Sequence, residues 1–149
     1  MPESRTQRGQ ARQRAAAATR DRLLTAATDL FAENGSEKTT IAMVARRAGV
    51  ASGTVHLHFA DREALLQAVL DQALAQLKLA LAEAAGGKPQ RTAAADVRQR
   101  TEGLIAFAVG EPELAAVLFQ PVHLATPAGH DALEFLVAFL QAYVFTVLT

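Results

Sequence analysis

The chain has 149 residues, and half of them are hydrophobic, which argues against intrinsic disorder and allows one sizeable helical core. It contains no cysteine, which excludes disulfides and cysteine–zinc sites, and its N-terminus lacks the apolar stretch of a secretory signal. The net charge is zero, but the charged residues are unevenly distributed. Residues 1–58 hold nine Lys/Arg and five Asp/Glu, whereas residues 59–149 hold six Lys/Arg and ten Asp/Glu. We therefore expect a soluble, cytoplasmic protein with a basic N-terminal part and an acidic remainder.

Residues 1–18 are polar and basic. Among Gln, Ala, Ser and Gly they carry Arg5, Arg8, Arg12 and Arg14. This composition predicts a flexible basic arm, although the alanines at 15–18 favour extending the following helix by a turn. Two roles stay open for the arm: contact with a polyanion such as a nucleic acid, or no role beyond solvation.

The first clear helix is predicted at residues 20–34. One face is apolar at helical spacing and consists of Leu23, Leu24, Ala27, Leu30 and Phe31. Gly35 follows as a suitable residue for ending the helix. Arg20 and Arg22 lie near its start, where each suits either a phosphate group or a solvated face.

The segment Thr39–Phe59 predicts two short helices joined by a tight turn. The apolar face of the first consists of Ile41, Val44, Ala45 and Ala48. Thr39 and Thr40 are alternative N-caps, because a threonine hydroxyl accepts from the free N–H groups of a first helical turn. Gly49 permits the positive φ that the turn needs, and Val50 is expected to fill the angle between the helices.

The second short helix is predicted at residues 52–59, with Val55 and Phe59 facing inward. Its outward residues are Ser52, Gly53, Thr54, His56 and Leu57. A short helix with this surface, braced by the helix before it, fits the major groove of duplex DNA, which is about 12 Å wide. The alternative is a helical hairpin that belongs to an all-α core and binds no DNA.

A long helix is expected to follow, with Asp61 as its N-cap and an apolar stripe that continues to about Ala85. The sequence Gly86-Gly87-Lys88-Pro89 then predicts a linker. Further helices are expected at residues 92–109, 112–119 and 130–148, with a loop at 120–129. On the helix at 92–109, the inward residues are expected to be Val97, Leu104, Ile105 and Ala108.

The last of these helices is apolar on nearly all sides, which suits burial in a core or between subunits. A membrane span is disfavoured, because the segment contains Glu134 and Gln141, lacks flanking Lys or Arg, and falls short of the about 20 apolar residues that a span needs.

No pattern predicts catalysis, a cofactor or a metal site. His56 and His58 are two residues apart and therefore do not share a helical face, and His123 and His130 have no carboxylate or cysteine cluster near them in the sequence. Phosphate-binding and nucleophile motifs such as GxxxxGK, GxGxxG and GxSxG do not occur. We expect a protein that is not an enzyme.

One long stretch of the chain has a specific overall pattern. It consists of Leu24, Ala26-Ala27, Leu30-Phe31, Asn34-Gly35, Thr39-Thr40, Val44-Ala45, Ala48-Gly49-Val50, Gly53-Thr54-Val55, His58-Phe59 and Glu63-Ala64-Leu65-Leu66. With these residues the region from Thr19 to Leu70, about a third of the chain, resembles the DNA-binding domain of the TetR (tetracycline repressor) family.

The resemblance implies an all-α protein with a basic arm at residues 1–18, a three-helix helix–turn–helix head at 19–60 and a helical regulatory and dimerisation body at 61–149. It implies a ligand-responsive transcriptional regulator, most often a repressor, that binds a palindromic double-stranded DNA operator as a homodimer. Matching positions in the family contact DNA at Thr40, Ser52, Gly53, Thr54, His56, Leu57, His58 and Arg62. A small apolar ligand is expected in the body, where the aromatic residues that suit either a pocket or plain core packing are Phe107, Phe119, Phe135, Phe139 and Tyr143.

The sequence departs from the family at several positions. Ala51 stands where a serine N-cap is common, Ser52 where lysine is frequent and His56 where tyrosine is usual. Because a lost cap costs about 1 kcal/mol, Ser52 is a candidate to take over the capping role. The body is also shorter than usual, which leaves the dimer mode open. The short body also keeps a second hypothesis open, in which the chain is a truncated dimerisation or interaction module that does not regulate DNA alone.

Overall fold

Helix-favouring residues fill most of the chain, and glycine or proline stands at many of the predicted helix ends. The computed structural model describes residues 5–86 and 92–120, and within these ranges it contains helices and no strand. The helices are α1 (Arg5–Asn34), α2 (Ile41–Ala48), α3 (Ser52–His58), α4 (Arg62–Ala85), α5 (Ala93–Gly110) and α6 (Pro112–Leu118). The predicted fold class, all-α with an N-terminal helix–turn–helix and a short helical body, is confirmed.

Helix α1 is much longer than the sequence predicts. It begins at Arg5 instead of about residue 20, so the expectation of a disordered arm is wrong for residues 5–18. Residues 7–18 are all exposed, so burial contributes little to holding them in the helix. Their alanines, arginines and glutamines have high intrinsic helix propensity, and this local preference accounts for about four extra turns.

The chain divides into two compact units, Met1–Leu66 and Gln67–Thr149, with the division inside α4. In the first unit, α1 packs on α2 and α2 packs on α3. Its core contains the predicted α1 stripe, and its largest fully buried apolar side chains are Leu23, Phe31, Val44, Val55 and Leu65. The domain boundaries that the sequence suggested, between residues 18 and 19 and between residues 60 and 61, stay predictions.

Helix α4 begins as predicted, because the Asp61 carboxylate accepts from the backbone N–H of Ala64 at 2.7 Å. By length and composition this helix is apolar enough to cross a membrane. The same properties occur in core helices of soluble proteins. The apolar stripe of α4 is buried inside the protein at Val69, Leu70, Ala73 and Leu77.

In the second unit, Thr92 caps α5 by accepting from the N–H of Ala95 at 3.2 Å, and Pro112 occupies the first turn of α6, as expected. The inward face of α5 differs from the prediction. Val97 is buried and Leu104 half-buried, but Ile105 and Ala108 are exposed, and the buried positions are instead Gly103 and Phe107. The reason is that Gly103, which has no side chain, lets α5 approach the backbone of α4 closely.

Several predictions fall outside the described residues. They are the Gly87–Pro89 part of the linker, most of the loop at 120–129, and the apolar helix at 130–148.

Candidate nucleic-acid interface

The start of α2 is held by two adjacent threonines with different tasks. Thr40 is the N-cap, and its hydroxyl accepts from the backbone N–H of Met43 at 3.3 Å. Thr39 is buried, and its hydroxyl lies 3.0 Å from the carbonyl oxygen of Leu30 and 2.9 Å from that of Gly35. The choice that the sequence left open is thereby settled. Thr40 caps the helix, and Thr39 ties the chain back to the end of α1.

The turn between α2 and α3 has the backbone geometry that the sequence predicted. Gly49 adopts a left-handed conformation with φ 68°. Its N–H donates to the carbonyl of Arg46 at 3.2 Å, and the N–H of Val50 donates to the carbonyl of Ala45 at 2.9 Å. This pair of bonds is a Schellman motif, which satisfies the last carbonyls of α2 and sets the direction in which the chain enters α3.

Helix α3 is anchored on one side only. Val55 and Phe59 are buried, as expected. Ala51 is the N-cap residue and has no side-chain acceptor, while its carbonyl accepts from the N–H of Thr54 at 2.9 Å. Ser52 is the first helical residue, so the expectation that it replaces the missing cap is wrong. A residue inside the first turn has helical backbone angles that differ from those of a cap.

The opposite side of α3 faces solvent. Ser52, Gly53 and His56 are exposed, and Leu57 has 83% of its surface accessible, which is unusual for a large apolar side chain. Thr54 and His58 are half-buried. Nδ1 of His56 lies 3.2 Å from the carbonyl oxygen of Ala60, a hydrogen bond in which that nitrogen donates. Six of the eight residues predicted to contact DNA thus lie on one short helix, and Thr40 is exposed at the start of α2.

The eighth residue, Arg62, makes contacts within the protein. Its guanidinium donates to the backbone carbonyl of the buried residue Ser36 and forms an ion pair with Glu63 at 2.5 Å. The sequence suggested only a cation near the DNA backbone, and it could not show this contact, because Ser36 is 26 positions away. Arg62 therefore connects the start of α4 to the turn after α1.

A second arginine braces α2 against α1. Arg47 donates two hydrogen bonds to the Glu33 carboxylate, at 2.8 and 3.2 Å, and lies 3.6 Å from Asp29. Hydrogen bonding from Arg47 holds the pKa of Glu33 below its ordinary value, and the same contact raises the pKa of Arg47. Both side chains remain accessible to solvent, so the pair is a surface brace.

Near the start of the predicted α1 stripe, the guanidinium of Arg20 lies over the ring of Phe59, 5.1 Å from its centroid. This cation–π contact joins α1 to the C-terminal end of α3. Arg20 was a candidate for phosphate contact or for a solvated face. The structure shows that its charge lies at the end of the helix that carries the candidate interface.

The aromatic residues proposed for a ligand pocket are only partly described. Phe107 is buried and Phe119 is half-buried, whereas Phe135, Phe139 and Tyr143 lie outside the described residues. Their role in ligand binding stays a prediction. Within residues 5–86 and 92–120, no three His, Asp or Glu side chains are grouped closely enough to hold a metal ion.

Comparison with known proteins agrees with this geometry. The family described as "Bacterial regulatory proteins, tetR family" matches residues 23–69. The HTH-type transcriptional regulator UidR of Escherichia coli K12 is 37% identical over 54 residues, which cover 36% of this chain and 28% of UidR. The A-factor receptor protein of Streptomyces griseus is 37% identical over 62 residues, covering 42% of this chain and 22% of the receptor. The chain thus spans less than a third of either relative.

A solved structure matches over a greater length. The crystal structure of a gamma-butyrolactone receptor (ArpA-like protein) has a TM-score of 0.68 and 28% identity, covering 89% of this chain and 71% of that one. An all-α fold with an N-terminal helix–turn–helix whose second helix is exposed on one side defines a class of regulatory proteins. Residues 23–69 match the tetR family, and the fold of the described residues is similar to that of the gamma-butyrolactone receptor.

Proposed function

We propose that this protein is a transcriptional regulator that binds duplex DNA by placing α3 in the major groove. One observation carries the proposal: α3 buries Val55 and Phe59 and leaves Ser52, His56 and Leu57 exposed. A helix held from one side by a capped neighbour is rigid enough to enter a groove and polar enough to meet base edges and phosphates.

Each outward residue supports a particular kind of contact. The hydroxyls of Thr40 and Ser52 suit phosphate oxygens, and Gly53 allows close approach of the backbone. His56 suits a base edge or a phosphate, and the exposed side chain of Leu57 suits an apolar contact such as a thymine methyl group. The excess of four positive charges in residues 1–58 favours the same partner.

The regulatory scheme that fits this surface is a ligand-responsive repressor in the cytoplasm. A single recognition helix reads few base pairs, so two copies related by a two-fold axis, on a palindromic operator with half-sites about 34–36 Å apart, provide the specificity that regulation needs. A small apolar ligand in the body would alter the separation of the two heads. The similarity to the gamma-butyrolactone receptor makes gamma-butyrolactones the first compounds to test as that ligand.

A second candidate function is an interaction module that does not regulate DNA by itself. The observation in its favour is the surface of α5, where Ile105 is 56% exposed and Val109, one turn further, is 77% exposed. Apolar side chains at this spacing suit contact with another protein.

The decisive experiment is selection of bound duplexes from a random-sequence library, followed by fluorescence anisotropy with the recovered duplex. The proposal predicts that Leu57→Ala weakens binding about tenfold, which corresponds to one apolar contact with a base. The matched control is Leu79→Ala on α4, a leucine that is also exposed (52%) but lies away from α3 in the chain. If the wild-type protein enriches no duplex even at low salt, the interaction module becomes the better hypothesis.

A further inference from the structure

Helix α3 carries no side chain with a permanent charge. Its sequence is SGTVHLH, so its ionisable side chains are His56 and His58, both in the last turn. Histidine is the side chain that ordinarily changes its charge between pH 5 and 8. The charge that α3 presents to DNA therefore depends on pH, whereas lysine or arginine at the same positions would give it a fixed charge.

The two histidines of α3 have different surroundings. His56 is exposed and His58 is half-buried. Residues two positions apart point about 200° away from each other around a helix, so the two rings do not share a face. His56 lies four positions after Ser52 and therefore on the same, outward side of α3. Of the two rings, that of His56 belongs to the surface proposed to meet DNA.

A hydrogen bond leaves one nitrogen of His56 able to take up a proton. Nδ1 lies 3.2 Å from the carbonyl oxygen of Ala60, and because a carbonyl oxygen only accepts, Nδ1 must donate. In the neutral ring the lone pair is then on Nε2. Addition of a proton at Nε2 leaves the bond to Ala60 in place, so the ring can become charged without a change in the backbone that ends α3.

The acidic groups next to α3 in the chain have other partners. Asp61 caps α4 by accepting from the N–H of Ala64, and Glu63 pairs with Arg62. Among the residues that the structure describes, no carboxylate lies within hydrogen-bonding or ion-pair distance of His56. The folded head thus supplies no anion in contact with the ring that would stabilise its charged form.

The neighbouring helices place cations near α3. Arg20 of α1 lies at its C-terminal end. Helix α2, which packs on α3, ends with the exposed Arg46 and with Arg47, whose charge is paired with Glu33. Nearby charges of like sign disfavour a charged imidazole in the free protein. A phosphate group would reverse this balance, because it brings the missing negative charge to the ring.

We propose that binding of duplex DNA is coupled to proton uptake at His56. A proton from the solvent binds to Nε2, and the resulting imidazolium donates from Nε2 to an oxygen of a backbone phosphate. The inference rests on the proposed function, because that phosphate belongs to the duplex that α3 contacts. The sign follows from linkage: the affinity for DNA is highest at low pH, where the ring is already charged, and falls as the pH rises. DNA binding by this protein is therefore sensitive to pH.

The test measures anisotropy of a rhodamine-labelled duplex of mixed sequence with the full chain, between about pH 8 and about pH 6 at constant salt. One proton taken up on binding changes the affinity by up to about tenfold per pH unit. We expect the affinity of the wild-type protein to rise about tenfold over this range. His56→Gln keeps a hydrogen-bond donor without the charge and should lose this rise. His58→Gln, the matched control, should retain it.

The salt dependence at each pH shows whether the proton is used on a phosphate. Each phosphate contact contributes about 0.9 to the slope of log K against log salt. The slope for the wild-type protein should therefore be steeper by about 0.9 at pH 6 than at pH 8. For His56→Gln the two slopes should be equal, and for His56→Arg the steeper slope should hold at both pH values. Circular dichroism and the melting temperature at both pH values verify that the variants are folded.

Two results would overturn the inference and leave the proposed function intact. One is a wild-type affinity that stays the same between pH 8 and pH 6. The other is a rise that persists in His56→Gln, because the proton would then bind elsewhere. The proposed function fails separately if the wild-type protein binds no duplex at low salt at either pH, and the inference fails with it.

Discussion

Gly103 on α5 faces Leu81 on α4 so closely that a Cβ built on Gly103 would lie 2.9 Å from the Cα of Leu81. That Cβ would also lie 3.0 Å from the carbonyl oxygen of Ala80. Both are backbone atoms that cannot move aside by a change of rotamer. The absence of a side chain at Gly103 therefore sets the spacing of α4 and α5 inside the second unit.

We predict that Gly103→Ala destabilises the protein by about 1–3 kcal/mol, because the added methyl group overpacks a helix contact. In an open helix the same change stabilises by about 1 kcal/mol, so the sign of the effect reports the contact. The matched control is Gly110→Ala at the end of α5, where a Cβ would meet no described atom within 4 Å. Urea unfolding of both variants tests this. A stabilised Gly103→Ala protein would show that the helices separate without cost.

The turn between α2 and α3 supports a second prediction. Gly49→Ala should cost about 1–2 kcal/mol, because φ of 68° is unfavourable for any residue with a Cβ. Gly53→Ala on α3 is the control. A Cβ there meets no described atom within 4 Å and the backbone is helical, so stability should stay the same or rise slightly.

The two glycine variants should also separate stability from binding. Gly53→Ala is expected to weaken binding to DNA without lowering the melting temperature, since Gly53 is a predicted site of close approach. For Gly49→Ala, the affinity for DNA and the melting temperature should fall together. A Gly49→Ala protein that is as stable as wild type and still loses DNA would contradict the assignment of Gly49 to the turn.

Arg62 provides a third prediction. Arg62→Gln should lower the free energy of unfolding by about 1 kcal/mol, because the carbonyl of the buried residue Ser36 loses its charged donor. Glu63→Gln removes the accessible ion pair but keeps the bond to Ser36, and its effect should stay below about 0.5 kcal/mol. Denaturant titration at neutral pH compares them. Equal losses in the two variants would show that the Ser36 contact contributes nothing.

The contact of Arg47 with Glu33 predicts a dependence of stability on pH. The hydrogen bond from Arg47 lowers the pKa of Glu33 in the folded protein from its ordinary value of 4.5. The unfolded chain therefore takes up a proton first, so the stabilising contribution of this carboxylate is complete above about pH 4.5 and is lost as the pH falls through the lower, folded value. The stability difference between wild type and Glu33→Gln should be constant from about pH 7 to 5 and should shrink below that.

Asp29→Asn is the comparison for that measurement. Asp29 lies farther from Arg47, at 3.6 Å compared with 2.8 Å for Glu33, so its replacement should have the smaller effect at neutral pH. If the stability difference between wild type and Glu33→Gln grew on acidification, it would have the wrong sign. The contact of Arg47 with Glu33 would then be excluded as its cause.

The homodimer stays a prediction that rests on the apolar segment at residues 130–148, outside the described residues. Changing Phe139 and Phe145 to glutamine should shift the protein from dimer toward monomer in sedimentation and should weaken cooperative binding to a palindromic duplex. The wild-type protein provides the reference. If it sediments as a monomer at micromolar concentration, the segment makes no contact between subunits.

Local signals in the sequence were sufficient for most elements of the first unit. The apolar stripe of α1, Gly49, the alternation of buried and exposed residues on α3 and the Asp61 cap all depend on neighbours within a few positions. Hydrophobic periodicity and capping report such neighbours directly. The resemblance to the family drew on the same positions, and the match to residues 23–69 confirms it.

Other features depended on residues that are far apart in the chain. Nothing near Gly103 in the sequence shows that α4 approaches it, so the predicted inward face of α5 was wrong at Ile105 and Ala108. Likewise, Arg62 and Ser36, Arg47 and Glu33, and Arg20 and Phe59 meet only after the helices have packed. A long side chain with several donors finds its partner by proximity in three dimensions, which helical periodicity does not encode. The sequence by itself therefore determined the helices, the turn and the exposed side of α3. The tertiary structure alone decided which charged side chains near α3 have partners within the protein, because packing of the helices brings together residues that are far apart in the chain.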